Sequence, residues 1–391
     1  MSTQAVPGPG VLDALSLLAE VADDLVVGTA RDTHLAVVDR VHGLLRKPTL
    51  DAGAVPGSLH RTIVSSVYAG LGLALRATSA GLDRAAALEA DPRLEADPRG
   101  RFLHSAVNGL IGDRLDRERP RWSIPMAVRV AGRDVRPVTP ELAAAFPDTT
   151  GLVAVFVHGL CEDETRWHLH RDRLGTTYPE ALASRGWTPV ALRANTGLPV
   201  RANGAFLAGL LQELTDAWPV PVERIALVGH SMGGLVIRAA STVRTEADEP
   251  WSGLVSDVVC LGTPHLGAPL AAFVGRSSSR LGWLPESAAF GRILDQRSAG
   301  VRDLVEGLAE DVPPLPRARY RLVSGSVTVS PLNPVGAFLG DGLVRVPSAQ
   351  GRGRRRVDLF PGADVLHLPG AGHFDLLNHP QVHAHLEEWL S

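Results

Sequence analysis

The feature that most constrains the fold of this chain is residues 224–238, where a strand pattern, a serine between glycines and a helical pattern follow one another. Residues 225–228 are apolar and of strand length, and residues 235–240 continue with helical spacing. Between them lies Gly229-His-Ser-Met-Gly233, whose glycines let neighbouring backbone pass close by. This context predicts a nucleophile elbow, in which Ser231 is strained and its hydroxyl is accessible. The alternative is an ordinary strand-to-helix turn with a capping serine.

Size and composition allow a large core, and the net charge disfavours polyanionic partners. The chain has 391 residues, 45% of them hydrophobic, which suits one large domain with an appendage or two domains. A net charge of −3 and a pI near 6.5 imply no strong attraction to nucleic acid or anionic membranes.

The cysteines and the N-terminus predict a cytoplasmic protein. Cys161 and Cys260 both fall at predicted strand ends inside the core, so we expect no disulfide framework. Residues 1–10 lack the basic start and apolar stretch of a signal peptide. The longest apolar run near the N-terminus, residues 63–75, is shorter than the roughly 20 residues of a transmembrane helix. We therefore expect no transmembrane segment.

Two regions of the chain differ in apolar periodicity. Residues 11 to about 118 have helical spacing and include a last short helix from Phe102 to Leu115, with Pro92 and Pro98 as breakers before it. We predict a helical N-terminal region over residues 1–118. It can pack on the rest of the chain, associate with other chains or shape substrate access, and no motif selects among these uses.

From Met126 onward the pattern predicts strands that alternate with helices. Ala127–Val130 and Arg133–Arg136 flank an Ala-Gly turn, which is typical of a β-hairpin. The further predicted strands are Leu152–Val157, Pro189–Leu192, Ile225–Val228, Val255–Leu261, Tyr320–Val323 and Val365–Leu368, and the predicted helices include Gly204–Trp218 and Gln381–Leu390. This order favours an α/β class with a mostly parallel sheet covered on both faces.

The order of motifs resembles the α/β-hydrolase fold over roughly residues 126–391, particularly its lipase-like serine esterases. In that family a nucleophile, an acid and a histidine follow one another along the chain, and here Ser231 is followed by Asp341 and His373. The segment Leu261–Pro269 is similar to one in bacterial lipases and in hydrolases related to the GPI inositol-deacylases. The resemblance implies an α/β-hydrolase domain at 126–391 with an N-terminal helical extension.

Asp341 and His373 are the candidates for the acid and the base of this triad. Asp341 lies in a Gly-Asp-Gly sequence beyond a predicted strand, although Asp-Gly is also a common turn. His373 follows the last predicted strand, and histidine exchanges protons near neutral pH. His379 is the competing base, but it precedes Pro380 at the start of the terminal helix. Asp364 and Asp375 are poorly spaced to serve as the acid.

The resemblance assigns the oxyanion hole to backbone N–H groups. These belong to Met232, after the nucleophile, and to Leu160, after the His158-Gly159 pair. His158, His230 and His265 are interpreted as structural.

The sequence disfavours other chemistries. It contains no phosphate-binding G-x-x-x-x-G-K-S/T loop and no G-x-G-x-x-G after a strand, so we expect no nucleotide cofactor. Its histidines lack carboxylate partners at ligand spacing, which disfavours a metal. Glu162-Asp-Glu164 is interpreted as a solvated acidic loop rather than a cation site. Gly351–Arg356 is interpreted as an exposed basic loop, with an anionic substrate or membrane headgroup as the alternative.

Residues 263–316 are the expected place for a specificity cap. They include Phe273, Trp283, Leu284, Phe290 and Ile293, which either line an apolar acyl pocket or pack in a core of their own.

The resemblance thus implies a serine hydrolase that cleaves small-molecule or lipid carboxylic esters through an acyl-enzyme, without a cofactor. Acyl transfer, thioester cleavage and amide cleavage by the same residues are alternatives. An inactive hydrolase-fold protein with a binding or assembly role is the alternative of another class.

Overall fold

The computed structural model describes residue 95 and residues 98–268, 298–308, 312–329, 340–353 and 358–391. The described residues from 101 onward belong to one compact unit, which contains the candidate site. Most of the expected N-terminal region, the aromatic residues of the expected cap and part of the basic loop lie outside the described residues. The predicted domain boundary between residues 118 and 126 stays a prediction.

In the described part of the chain, eight strands form one sheet in the order β2-β1-β4-β3-β5-β6-β7-β8. The strands are β1 (Ala127–Val130), β2 (Arg133–Val135), β3 (Leu152–Val157), β4 (Thr188–Arg193), β5 (Arg224–His230), β6 (Val255–Leu261), β7 (Arg319–Ser326) and β8 (Asp364–Pro369). Strands β3 to β8 run parallel, whereas β1 pairs antiparallel with β2 and β4. The predicted hairpin and mostly parallel sheet are therefore present.

The central strands are buried on both faces because helices cover the sheet on each side. Leu227 in β5 belongs to one apolar cluster and Val228, the next residue, to the other, as the period of two requires. The helices are α1 (Pro98–Glu118), α2 (Thr139–Ala145), α3 (Arg171–Leu174), α4 (Tyr178–Ala183), α5 (Val200–Ala217), α6 (Met232–Ala240), α7 (Ala299–Glu306), α8 (Val346–Ala349) and α9 (Pro380–Trp389), with 3-10 turns at Pro120–Trp122, Glu164–His168, Trp251–Gly253 and His373–Leu376.

Helix α1 is longer than the sequence pattern predicts. The prediction treats Pro98 as a breaker, but the helix begins at Pro98. Proline is tolerated there because N–H groups in the first turn have no acceptor within the helix, so its missing N–H costs no hydrogen bond. A non-helical backbone at Ile111 interrupts it. Its Gly109 faces the loop after β3, since a Cβ there would lie 2.4 Å from Cys161 Sγ.

Among the described helices, none combines the length and the apolar character that crossing a membrane requires.

Candidate active site

Ser231 lies at a strained turn between β5 and α6. Its φ of +51° and ψ of −120° fall outside the regions that a non-glycine residue favours. Its N–H donates to Leu261 O of the neighbouring strand at 2.8 Å. A Cβ at Gly233 would lie 2.1 Å from Val157 O, and one at Gly229 would lie 2.6 Å from Gly234 N. The two glycines therefore permit the close backbone packing that holds the turn, as the elbow motif predicts.

Asp341 lies in the loop that follows β7, and its carboxylate is held on both oxygens. Gly340 and Gly342 on either side have φ of +61° and +96°. The backbone N–H groups of Leu343 and Val344 donate to Asp341 Oδ1 at 3.0 and 2.7 Å. Asp341 is buried, with 3% of its surface exposed, so its second oxygen has a fixed direction.

His373 follows β8, and its ring contacts the other carboxylate oxygen of Asp341. Its Nδ1 lies 2.8 Å from Asp341 Oδ2, and its backbone N–H donates to Asp341 O at 2.9 Å. The imidazole lies next to the elbow, because its centroid is 4.8 Å from the ring of His230, the residue before Ser231. A Cβ at Gly262 would lie 3.1 Å from both His373 Cε1 and Asp341 Oδ2, so the chain after β6 lines the same spot.

The competing candidates lie elsewhere and have other partners. His379 is the N-cap of α9, where its Nδ1 accepts from Gln381 N–H at 3.3 Å. Asp375 accepts from Gly372 N–H at 2.9 Å, and Asp364 pairs with Arg321 at the start of β8. The structure thus brings Asp341 and His373 together and leaves these three residues in local structural contacts.

The two backbone groups expected at the oxyanion hole belong to the residue after Ser231 and to a turn that contacts Ser231. Met232 is the first residue of α6, where helix geometry leaves N–H groups without an intrahelical acceptor. Leu160 lies in a turn closed by Glu162 N–H donating to Gly159 O at 3.2 Å. Within the described residues, neither the Leu160 N–H nor the Met232 N–H donates to a protein acceptor. A Cβ at Gly159 would lie 3.0 Å from Ser231 Cβ, so this turn packs against the serine, and residues 158–162 are called the oxyanion loop after the role expected of them.

The prediction of a solvated acidic loop at Glu162-Asp-Glu164 is wrong. All three residues are buried, with 4%, 0% and 8% of their surface exposed. Glu164 pairs with Arg129 at 3.1 Å, and Asp163 accepts from Thr165 N–H. The run looks solvated by composition, but Glu164 has a tertiary partner in β1 and Glu162 has one in β5.

Glu162 is the neighbour of the candidate site that sequence reasoning missed. Its carboxylate accepts from Gly159 N–H at 2.7 Å and lies 3.0 Å from Nδ1 of buried His230. Burial by itself raises the pKa of Glu162, but His230 and the Gly159 N–H outweigh it and lower that pKa to about 2. The available signal was its position three residues after Gly159, the spacing at which a carboxylate reaches back to a backbone N–H.

Three further residues near the site lie outside the contact between Asp341 and His373. His158 is buried between Gly159 O at Nδ1 and Ala194 N–H at Nε2, and burial lowers its pKa. His265 is buried, packs edge-on against Phe360 and has a pKa lowered by burial.

Cys161 lies in the oxyanion loop with φ +60° and is partly exposed, so its predicted place at a strand end in the core is wrong. The turn to Glu162 lifts it out of the strand.

The residues that meet at this edge come from segments that follow parallel strands. Ser231 follows β5, Asp341 follows β7 and His373 follows β8, with the oxyanion loop after β3. An eight-stranded, mostly parallel sheet with a strained serine between one of its central strands and the following helix is the arrangement of one fold. The domain has the α/β-hydrolase fold.

Comparisons with known proteins found one family model that matches part of the chain and several similar solved structures. A family model described as the PGAP1-like alpha/beta domain matches residues 191–277, which include the elbow. The mature lipase BlEst2 of Bacillus licheniformis is similar at 21% identity and TM-score 0.44, over 61% of this chain and 92% of that one. The Pyrococcus furiosus esterase Pf2001 is similar at 17% identity and TM-score 0.36, over 62% and 84%. No curated protein sequence matches the chain.

Proposed function

We propose that this α/β-hydrolase is a serine hydrolase that cleaves carboxylic esters through an acyl-enzyme. The observation that carries the proposal is the 2.8 Å contact between Asp341 and His373 beside a serine with φ +51°. A charged carboxylate fixed by two backbone N–H groups favours the tautomer with hydrogen on His373 Nδ1, which leaves Nε2 as the base.

The first half-reaction forms the acyl-enzyme. Ser231 Oγ attacks the ester carbonyl carbon while its proton passes to His373 Nε2, and the carbonyl π electrons move to oxygen. The N–H groups of Leu160 and Met232 donate to that oxyanion. When the tetrahedral intermediate collapses, the C–O bond to the alcohol breaks and His373 returns the proton to the leaving alkoxide. Asp341 stabilises the imidazolium and stays ionised throughout.

The second half-reaction releases the acid. His373 removes a proton from water, the hydroxide attacks the acyl carbon, and Ser231 leaves with the proton that His373 returns. An alcohol, in place of water, would give acyl transfer by the same steps, and a thioester or amide would differ only in the leaving group. Because both half-reactions use the same residues, product analysis with and without added alcohol separates hydrolysis from transfer.

The nucleophile is tested with a fluorophosphonate probe. Ser231→Ala should abolish covalent labelling and reduce kcat by roughly 10³-fold or more, since only binding and oxyanion contacts then remain. Ser241→Ala is the matched control, because Ser241 caps the other end of α6 through Arg238 O and should label as the wild type does. Stoichiometric labelling of the Ser231 variant would show that another residue is the nucleophile.

The proposed substrates are uncharged acyl esters, hydrolysed without a metal. Among the described residues, no group of His, Cys, Asp and Glu side chains is arranged to hold a metal ion. A series of nitrophenyl esters should show faster cleavage of medium chains than of acetate, since each buried methylene contributes about 0.8 kcal/mol. Activity should survive chelators. An enzyme fastest on acetate would contradict an apolar acyl pocket for medium chains. It would not affect the proposed roles of Ser231, Asp341 and His373. Free thiols at both cysteines support placing this chemistry in the cytoplasm.

A further inference from the structure

The hydrogen-bond partners of His230 define its protonation state. Nδ1 faces the Glu162 carboxylate at 3.0 Å, and Nε2 faces the carbonyl oxygen of His373 at 3.3 Å. Both partners only accept hydrogen bonds, and His230 is completely buried. Two accepting partners are both satisfied when each nitrogen carries hydrogen, so the contacts favour an imidazolium that forms an ion pair with the Glu162 carboxylate.

The surroundings support this charge state. Burial alone lowers the pKa of His230, but the charge and hydrogen bond of Glu162 outweigh it and raise the pKa. Asp341 acts in the same direction, and the titratable rings of His158 and His373 face the pair from the oxyanion loop and from the turn after β8.

The pair connects three segments that surround the proposed nucleophile. Glu162 holds Gly159 N–H at 2.7 Å, and Leu160 follows Gly159 directly. His230 immediately precedes Ser231 at the end of β5, and its Nε2 reaches the main chain of His373. The oxyanion loop, the elbow and the histidine turn thus share one buried network.

On the basis of the proposed ester hydrolase activity, we propose that Glu162 and a doubly protonated His230 are positioning residues that align the oxyanion loop and His373 with Ser231. Neither side chain reaches the substrate or transfers a proton. Their effect is to fix the direction of the Leu160 N–H and the distance of His373 from the serine. A shift of about 1 Å in such groups costs up to roughly 100-fold in rate.

The charge state is tested on the wild-type protein by ¹⁵N NMR of histidine-labelled protein. The His230 signals are assigned from their absence in His230→Asn. At pH 7, both His230 nitrogens should have protonated imidazolium shifts. A neutral His230 ring would overturn the proposal, whether or not any variant folds.

The positioning role is tested with Glu162→Gln, which keeps an acceptor for Gly159 N–H but removes the charge. We expect kcat to fall roughly 10-fold to 100-fold with KM within a few-fold, and the fluorophosphonate reaction to slow but still reach completion at Ser231. The pH profile should also gain a transition that the wild type lacks, because the His230 pKa falls once its counter-charge is removed. Thermal unfolding by circular dichroism shows whether the variant is folded.

Glu164→Gln is the matched control, since Glu164 lies in the same run, is equally buried and pairs with Arg129 away from the elbow. It should lose stability but keep kcat and the wild-type pH profile. A folded Glu162→Gln enzyme with wild-type kcat, or equal kcat losses in both variants, would contradict the positioning role. If the wild type neither reacts with the probe nor cleaves any ester, the proposed function fails, whereas the NMR result still decides the ion pair.

Discussion

At the scale of single residues, burial and partners give chemically identical side chains different properties. His158 has one donor and one acceptor as partners, which suits a neutral ring, whereas His230 has two acceptors, which suits the charged ring that we propose. His373 has a carboxylate at Nδ1, and its Nε2 is the atom assigned as base. Three histidines within one site thus differ because their neighbours differ, and substitutions at the partners should reveal it.

Asp341→Asn should preserve the fold and reduce kcat by roughly 10³-fold to 10⁴-fold, because an amide nitrogen facing His373 Nδ1 favours the wrong imidazole tautomer. Asp375→Asn is the control, since Asp375 is in the same turn as His373 and only caps Gly372 N–H. Steady-state kinetics on a nitrophenyl ester measure both. Similar losses in the two variants would remove Asp341 from the proposed triad.

His373→Ala should lose nearly as much activity as Ser231→Ala, because nucleophile and base act as one unit. His379→Ala removes only the N-cap of α9 and should cost about 1 kcal/mol of unfolding free energy while kcat stays near wild type. Kinetics and urea unfolding of both variants are the measurement. A folded His379 variant as inactive as the His373 variant would reopen the choice of base.

At the scale of elements, the site depends on how closely β5, α6 and the end of β3 pack. The strained turn at Ser231 persists only because its surroundings determine it, and a backbone in this conformation costs about 1–3 kcal/mol. Glycine at 229 and 233 removes the side chains that would separate α6 from the sheet. Local sequence thus permits the elbow, and the packing of α6 against β3 maintains it.

Gly233→Ala should destabilise the protein by roughly 1–3 kcal/mol and also reduce activity, because its Cβ would lie 2.1 Å from Val157 O and push α6 away from β3. Gly209→Ala in α5 is the control, since a Cβ there meets nothing within 4 Å. Alanine in a helix interior should stabilise by roughly 0.5–1 kcal/mol. Urea unfolding measures both, and equal midpoints would contradict the packing argument.

At the scale of the whole molecule, stability should depend on pH through the buried Glu162–His230 pair. Because folding lowers the Glu162 pKa from 4.5 to about 2, its contribution is present above pH 4.5 and is lost as pH falls toward 2. Because folding raises the His230 pKa above 6.5, its contribution is complete below that pH and is lost as pH rises through the folded value.

The unfolding free energy of Glu162→Gln should therefore differ most from wild type between about pH 4.5 and 6.5. Removing one member of a buried pair typically costs roughly 3–5 kcal/mol, and the glutamine, which still accepts hydrogen bonds, should fall at or below that range. Urea unfolding of both proteins from pH 3 to 9 gives the comparison. A difference that stays constant over this range would show that the pair is not ionised.

Much of the architecture was predictable from the sequence because it depends on local patterns. Strands β3 and β6 have the predicted bounds, since continuous apolar runs of that length suit strands buried on both faces. Ser231, Asp341 and His373 were selected by their positions after strands, and parallel strands bring their ends to one edge.

By contrast, the sequence could not predict that Glu162 is buried. Three consecutive acids are typical of a solvated loop, and only the tertiary structure supplies His230 and Arg129 as their partners. The sequence alone therefore determined the order of elements and the residues at the strand ends, whereas the fold decided which carboxylates are buried and which partners each histidine has, because those depend on neighbours distant in the chain.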